Sequence, residues 1–136
     1  MTFQSPTEEL KARRRFGDFS RINGRWNSSS SSSLHQRLLA DPQEWERYHT
    51  GLESLRSGWS VDPLSEVIKY LAQSQGLTVG DFGCGTGQLA EALNGRHTVH
   101  SFDHVAYNES VVACDVAEGV DLPDCCLDVA VFCLSL

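Results

Sequence analysis

The stretch DFGCGTGQLAEAL, residues 81–93, constrains the fold of this chain more than any other. An apolar run ending in an acid leads into three glycines at alternate positions, Gly83, Gly85 and Gly87, which open a helical pattern. Strand, bare loop and helix in that order begin a βαβ unit, in which glycine lets the backbone pass close beneath a ligand that a Cβ would strike. The downstream rhythm agrees. Leu77–Phe82 predicts a strand, Gln88–Asn94 a helix followed by Gly95, His97–Phe102 a second strand and Val111–Cys114 a short third. Leu127–Leu134 predicts a fourth strand buried on both faces. Near-continuous apolar strands with interposed helices predict a parallel sheet in an α/β fold.

Upstream the pattern is helical. Residues 1–27 are polar and basic and read as a partly disordered arm, followed by six serines, Ser28 to Ser33, that read as a flexible joint. Ser33-Leu34-His35-Gln36 has capping-box spacing and predicts a short helix burying Leu34, Leu38 and Leu39. Asp41-Pro42-Gln43-Glu44 is a stronger start, with an acid at the cap, proline at the first helical position and a glutamate to close the box. Trp45, Tyr48, Leu52, Leu55 and Trp59 make its apolar stripe, with Gly58 to end it. Asp62-Pro63 repeats the start signal, Leu64, Val67, Ile68 and Leu71 form the next stripe, and Gly76 is the expected cap. The domains expected are therefore an arm over 1–27, a helical cap over 28–76 and a nucleotide-binding half over 77–136.

The ligand follows from the acids. The dinucleotide pattern is G-x-G-x-x-G, whereas here the spacing is G-x-G-x-G with Asp81 two residues ahead of the first glycine. A carboxylate there repels a pyrophosphate and suits a ligand with an amino group and a sulfonium. Asp103 at the end of the second strand is placed to accept both ribose hydroxyls of an adenosine, and Asp115 at the end of the third to accept from the adenine amino group. Adenosine joined to a cationic amino acid is S-adenosylmethionine. Another nucleotide, or a glycine turn with a purely structural role, are the competing readings.

Charge divides the chain. Of its 11 basic residues, Lys11, Arg13, Arg14, Arg15, Arg21 and Arg25 lie within residues 11–25, although the net charge is −7. A basic arm on an acidic body predicts contact with a polyanion through the arm, or else a solvated tail. No apolar run approaches the roughly 18 residues of a membrane span, and no secretory leader is evident. The 5 cysteines include no Cys-x-x-Cys pair. Cys84, Cys114 and Cys133 read as buried thiols of a reducing compartment, and no metal site is expected.

Three further stretches carry a resemblance: RINGRW at 21–26, WERYHTGL at 45–52 and, above all, DVAVFCLSL at 128–136 following DFGCG. From about Arg21 onward the chain resembles the family of ribosomal RNA-processing protein eight, also called nucleomethylin. The resemblance implies a class I methyltransferase (Rossmann-like) fold with sheet order 3-2-1-4 behind an N-terminal helical cap. It implies S-adenosylmethionine-dependent methylation of adenine N1 in large-subunit ribosomal RNA, in the nucleolus of the nucleus, with nucleolar silencing-complex proteins as further partners. Carried over by position, it implies that His49, Gly83, Asp103, Asp115, Val116 and Cys133 line the cofactor pocket. Read without the family, His49 is a helix-face histidine packed by Trp45 and Leu52, Cys133 is a strand cysteine, and Trp45, Tyr48 and Trp59 are core. No catalytic residue is named.

The chain also departs from the family pattern. Thr86-Gly87 is closer to the generic methyltransferase loop, Val116 stands where a methionine is common, and the serine run is long. The family continues past the position of Leu136, so the resemblance implies a C-terminally truncated form holding only the first half of the fold. The expectation for 136 residues alone is self-association through the last strand and no methyl transfer. The alternative function is a non-catalytic S-adenosylmethionine-binding or interaction module.

Overall fold

The computed structural model describes residues 6–135, which form two compact units divided between Trp59 and Ser60. The first unit contains α1 (Pro6–Asn27), α2 (Ser31–Ala40) and α3 (Pro42–Arg56). The second contains α4 (Pro63–Leu71), β1 (Thr78–Phe82), α5 (Gln88–Ala92), β2 (Thr98–Asp103), β3 (Val111–Ala113) and β4 (Val129–Val131). The boundary expected after residue 76 thus lies nearer Trp59, because α4 packs with the sheet: Leu64, Val67 and Ile68 lie against the core of Leu71, Val79, Leu89, Leu93 and Val131.

The reading of residues 1–27 as a partly disordered arm is corrected. Residues 6–27 are helical, and the first five lie outside the described residues. Glu8 and Glu9 in the first turn and Arg25 in the last complement the helix dipole. Tertiary packing does more. Phe19 and Ile22 are buried, and the Trp26 ring stacks on Tyr48 of α3 at 4.0 Å. Gly51 of α3 makes the close approach possible, since a Cβ there would lie 2.6 Å from that of Phe19.

The serine run is a tight corner, not a flexible joint. Ser28 and Ser29 turn their hydroxyls back onto the carbonyls of Gly24 and Arg25, closing the end of α1. The cap of α2 is Ser30, three residues before the expected Ser33, and its side chain accepts the Ser33 N–H. Leu38 is buried in α2, whereas Leu39 is exposed.

Glu44 also departs from expectation. It does not close a capping box. Its carboxylate is buried and accepts from Arg25 of α1 at 2.8 Å and from Arg37 of α2 at 2.7 Å, so one acid joins three helices. Asp41 caps α3 without a side-chain bond to the backbone. Trp45 is core, as expected, but Trp59 is exposed.

In the second unit all strand pairs are parallel and the order is β3-β2-β1-β4, as expected. On one sheet face Val79, Asp81 and Val131 share register with Val99 and Ser101. On the other, Phe102, Phe82 and Phe132 stack in a row, with ring centroids 5.5 and 5.0 Å apart. Gly80 leaves room for this row and for Leu127: a Cβ would lie 2.8 Å from the Phe82 ring and 2.7 Å from Leu127. His97 joins α4 to β1, its Nδ1 accepting from Leu77 N–H at 3.1 Å and its Nε2 donating to the Leu71 carbonyl at 2.6 Å.

The fourth strand corrects another expectation. It is three residues long and is not buried on both faces, since Phe132 and Leu134 are about half exposed. Leu134 adopts a positive φ of 59°, which ends the extended run.

Candidate functional site

The C-terminal ends of β1, β2 and β3 converge on the glycine loop. The loop starts by capture: the Phe102 carbonyl at the end of β2 accepts both Gly83 N–H at 2.8 Å and Cys84 N–H at 2.9 Å. Gly83, Gly85 and Gly87 all take positive φ, at 82°, 57° and 77°, a region costly for residues with a Cβ. Gly87 then caps α5. The glycine spacing is therefore demanded by the backbone path itself.

Asp103, the last residue of β2, is buried and braces the loop. Its Oδ2 accepts Gly85 N–H at 2.9 Å and its Oδ1 accepts His104 N–H at 2.7 Å. A carboxylate offers about four lone-pair directions, so further acceptor capacity exists on the same group. Asp115 is buried two residues past β3, and its Oδ1 accepts Ala117 N–H at 3.1 Å, starting the short 3-10 turn Val116–Glu118. Val116 is the first residue of that turn and half-buried.

Asp81 is the third buried acid. Burial, and after it the neighbouring Asp103 charge, push its carboxyl up to about 6. A site that penalises its own negative charge is chemically matched to a cation. The same surroundings act on the thiols. Burial together with Asp103 and Asp81 raises Cys84, and burial with Asp115 and Asp103 raises Cys114. Both stay protonated and unreactive near neutral pH. All five cysteines are free, and Cys84, Cys114 and Cys133 are half-buried, less enclosed than expected. No cluster of potential metal ligands occurs among the described residues.

Of the six residues expected to line a cofactor pocket, Gly83, Asp103, Asp115 and Val116 lie at or just beyond these strand ends. Cys133, two residues past β4, packs against the apolar core beneath α4. His49 belongs to the first unit, where its ring lies 4.1 Å from that of Trp45 and 5.2 Å edge-on to Tyr48. Those contacts are the packed helix-face arrangement.

Sequence reasoning missed Ser135. Its hydroxyl donates to the Phe82 carbonyl at 2.6 Å, and a Cβ on Gly83 would lie 2.3 Å from its own. The bare α-carbon of Gly83 thus accommodates a neighbour from the same chain. A contact across 53 residues leaves no local signal.

Comparison with known proteins agrees with this geometry. A family described as "hypothetical methyltransferase" matches residues 5–136. The chain is 37% identical over 130 residues to "Ribosomal RNA-processing protein 8" of Arabidopsis thaliana, covering 95% of this chain and 44% of the relative. The protein of the same name from Dictyostelium discoideum is 37% identical over 131 residues, 96% of this chain and 32% of the relative. The "25S rRNA (adenine(645)-N(1))-methyltransferase" of Schizosaccharomyces pombe is 32% identical over 140 residues, 95% of this chain and 44% of the relative. The chain therefore spans less than half the length of the relatives it matches. With the match running across nearly all of its residues, and with a parallel sheet and glycine loop of the kind such enzymes use, the chain belongs to this methyltransferase family.

Proposed function

We propose that the chain takes part in S-adenosylmethionine-dependent methylation of an adenine, at N1, in large-subunit ribosomal RNA, within the nucleolus. The observation that carries this reading is the acid pair at the loop: Asp103 fixed to Gly85 N–H, beside Asp81 whose carboxyl is raised to about 6. Ribosomal RNA and adenine N1 enter from the names of the relatives alone.

The donor set fits the cofactor. Asp103 would accept from the ribose hydroxyls, Asp115 from the adenine amino group, and Val116 would supply an apolar wall. The Gly83 loop and Asp81 would face the amino-acid end, where a positive charge offsets the buried carboxylate. His49 and Cys133 are proposed as further contacts on family position only. Bound there, S-adenosylmethionine supplies an electrophilic methyl group. Adenine N1 carries a neutral lone pair, so the protein's task is to hold the base in line, within about 3–3.5 Å, without a strong general base. The raised Cys84 and Cys114 thiols are not nucleophiles for such a reaction.

Labelled-methyl transfer to large-subunit ribosomal RNA tests the reading, with the modified base identified by nucleoside chromatography. The expected product is N1-methyladenine, absent with Asp103→Ala. Label on another base removes the N1 assignment, and a chain that does not bind S-adenosylmethionine removes the whole reading.

A further inference from the structure

The first unit carries a charged groove that the cofactor site does not use. Residues Asp18, Arg21, Ile22 and Arg25 of α1 and Arg47 of α3 line it. Three guanidinium groups and one carboxylate, Asp18, line it, and the arginine side chains are half or more exposed: 76% for Arg21, 50% for Arg25 and 50% for Arg47. Arg21 pairs with Asp18, Arg25 with Glu44 at 2.8 Å and Arg47 with Asp41 at 3.4 Å. Each of these pairs engages part of a five-donor fork, leaving N–H groups directed elsewhere.

From the groove a basic stripe continues along the helix. Lys11, Arg14, Asp18, Arg21 and Arg25 recur at spacings of three and four, which places them on one stripe of α1. Lys11 and Arg14 are exposed. The stripe runs about 21 Å at 1.5 Å per residue. Converging guanidinium groups repel one another, and an anion relieves that repulsion. Arginine forks match phosphate oxygens in particular.

We propose that this groove is a phosphate-backbone site for nucleic acid, with Arg21, Arg25 and Arg47 in contact and Lys11 and Arg14 extending the track. The choice of RNA as the occupant rests on the proposed function. Arg47 lies outside the basic run that the sequence shows, so only the fold assigns it to the site.

The test is a fluorescence-anisotropy titration of the whole chain with a short labelled RNA duplex across a range of salt. Arg25 also holds Glu44, so the variant pair is Arg21→Gln with Arg47→Gln. Losing two phosphate contacts should lower the salt slope by about 1.8 and weaken binding roughly 60-fold near 0.1 M salt. Lys11→Gln with Arg14→Gln, on the exposed part of α1, should act in the same direction. Lys69→Gln with Arg96→Gln, in the second unit, should leave the slope as it was. Unchanged affinity and slope in both first-unit variants, with helix content retained by circular dichroism, would overturn the groove. Equal losses in the second-unit control would also overturn it, since net charge alone would then explain binding. S-adenosylmethionine binding is measured on the same variants. RNA binding that depends on the groove in a chain that ignores S-adenosylmethionine would sink the methyltransferase reading and leave the groove standing.

Discussion

The two units handle buried negative charge in opposite ways. In the first, Glu44 is enclosed by three helices and neutralised by Arg25 and Arg37, at 2.8 and 2.7 Å. In the second, Asp81 is buried beside another carboxylate, Asp103, and its carboxyl rises to about 6. A carboxylate with two arginines fixes helix positions. A carboxylate set against its like is poised for a cation brought from outside. The difference separates an acid that ties helices together from one that the fold sets beside another carboxylate.

Removing the counterions in the first unit should have the largest effect. Arg25→Gln with Arg37→Gln leaves Glu44 buried without its two cations, and urea unfolding should show a loss of about 3–5 kcal/mol. A loss below 1 kcal/mol would mean that Glu44 can reach water and that the contrast with Asp81 is false.

Next comes the glycine loop. Gly83→Ala places a Cβ 2.3 Å from that of Ser135 on a backbone at φ 82°, with an expected cost of about 2–4 kcal/mol. Adding Ser135→Gly should recover the steric part and leave the conformational part. If the second change recovers nothing, Ser135 does not brace the loop.

Asp81→Asn should act with the other sign. The folded carboxyl lies above its ordinary value of 3.8, so the native state holds the proton more tightly than the unfolded chain. Wild-type stability is therefore lost as pH rises from about 4 to about 6 and is level above that. The asparagine variant should gain about 3 kcal/mol over wild type near pH 8 and lose that advantage near pH 4. Parallel stability curves from pH 3 to pH 8 would show that Asp81 carries no such penalty.

The smallest effect separates two serines. Ser30→Ala should cost about 1 kcal/mol as the loss of a cap, and Ser33→Ala should stay within about 0.5 kcal/mol. Thermal unfolding of the two variants distinguishes them, and the reverse ranking would restore Ser33 as the cap.

Legibility in the sequence also differs between the units. The second is written in local signals. Alternate glycines, apolar strands and an acid closing β2 predicted the strands, the loop and a parallel sheet, with the acids at the strand ends, while the sheet order came from the family resemblance. The first is written in long-range ones. α1 contains Gly17 and Gly24 and a polar, basic surface, so its sequence resembles an arm; what makes it helical is Phe19, Ile22 and Trp26 packing on α3. Glu44 fits a capping box perfectly well by spacing, but its partners lie 19 and 7 residues away. β4 was expected to be long because LDVAVFCL is continuously apolar. Apolarity alone does not say that Leu134 turns or that Ser135 folds back on Gly83.

The central claim is that the acid-braced loop binds S-adenosylmethionine, and titration calorimetry tests it most directly. Asp103→Asn keeps an oxygen for Gly85 N–H, gives up the acceptor that His104 N–H uses and removes the charge that two ribose hydroxyls would use. Wild type should bind, and the variant should bind roughly thirtyfold or more weakly while circular dichroism shows it still folded at the temperature of the titration. Equal affinity in the two proteins, or no heat of binding in either, would contradict the account.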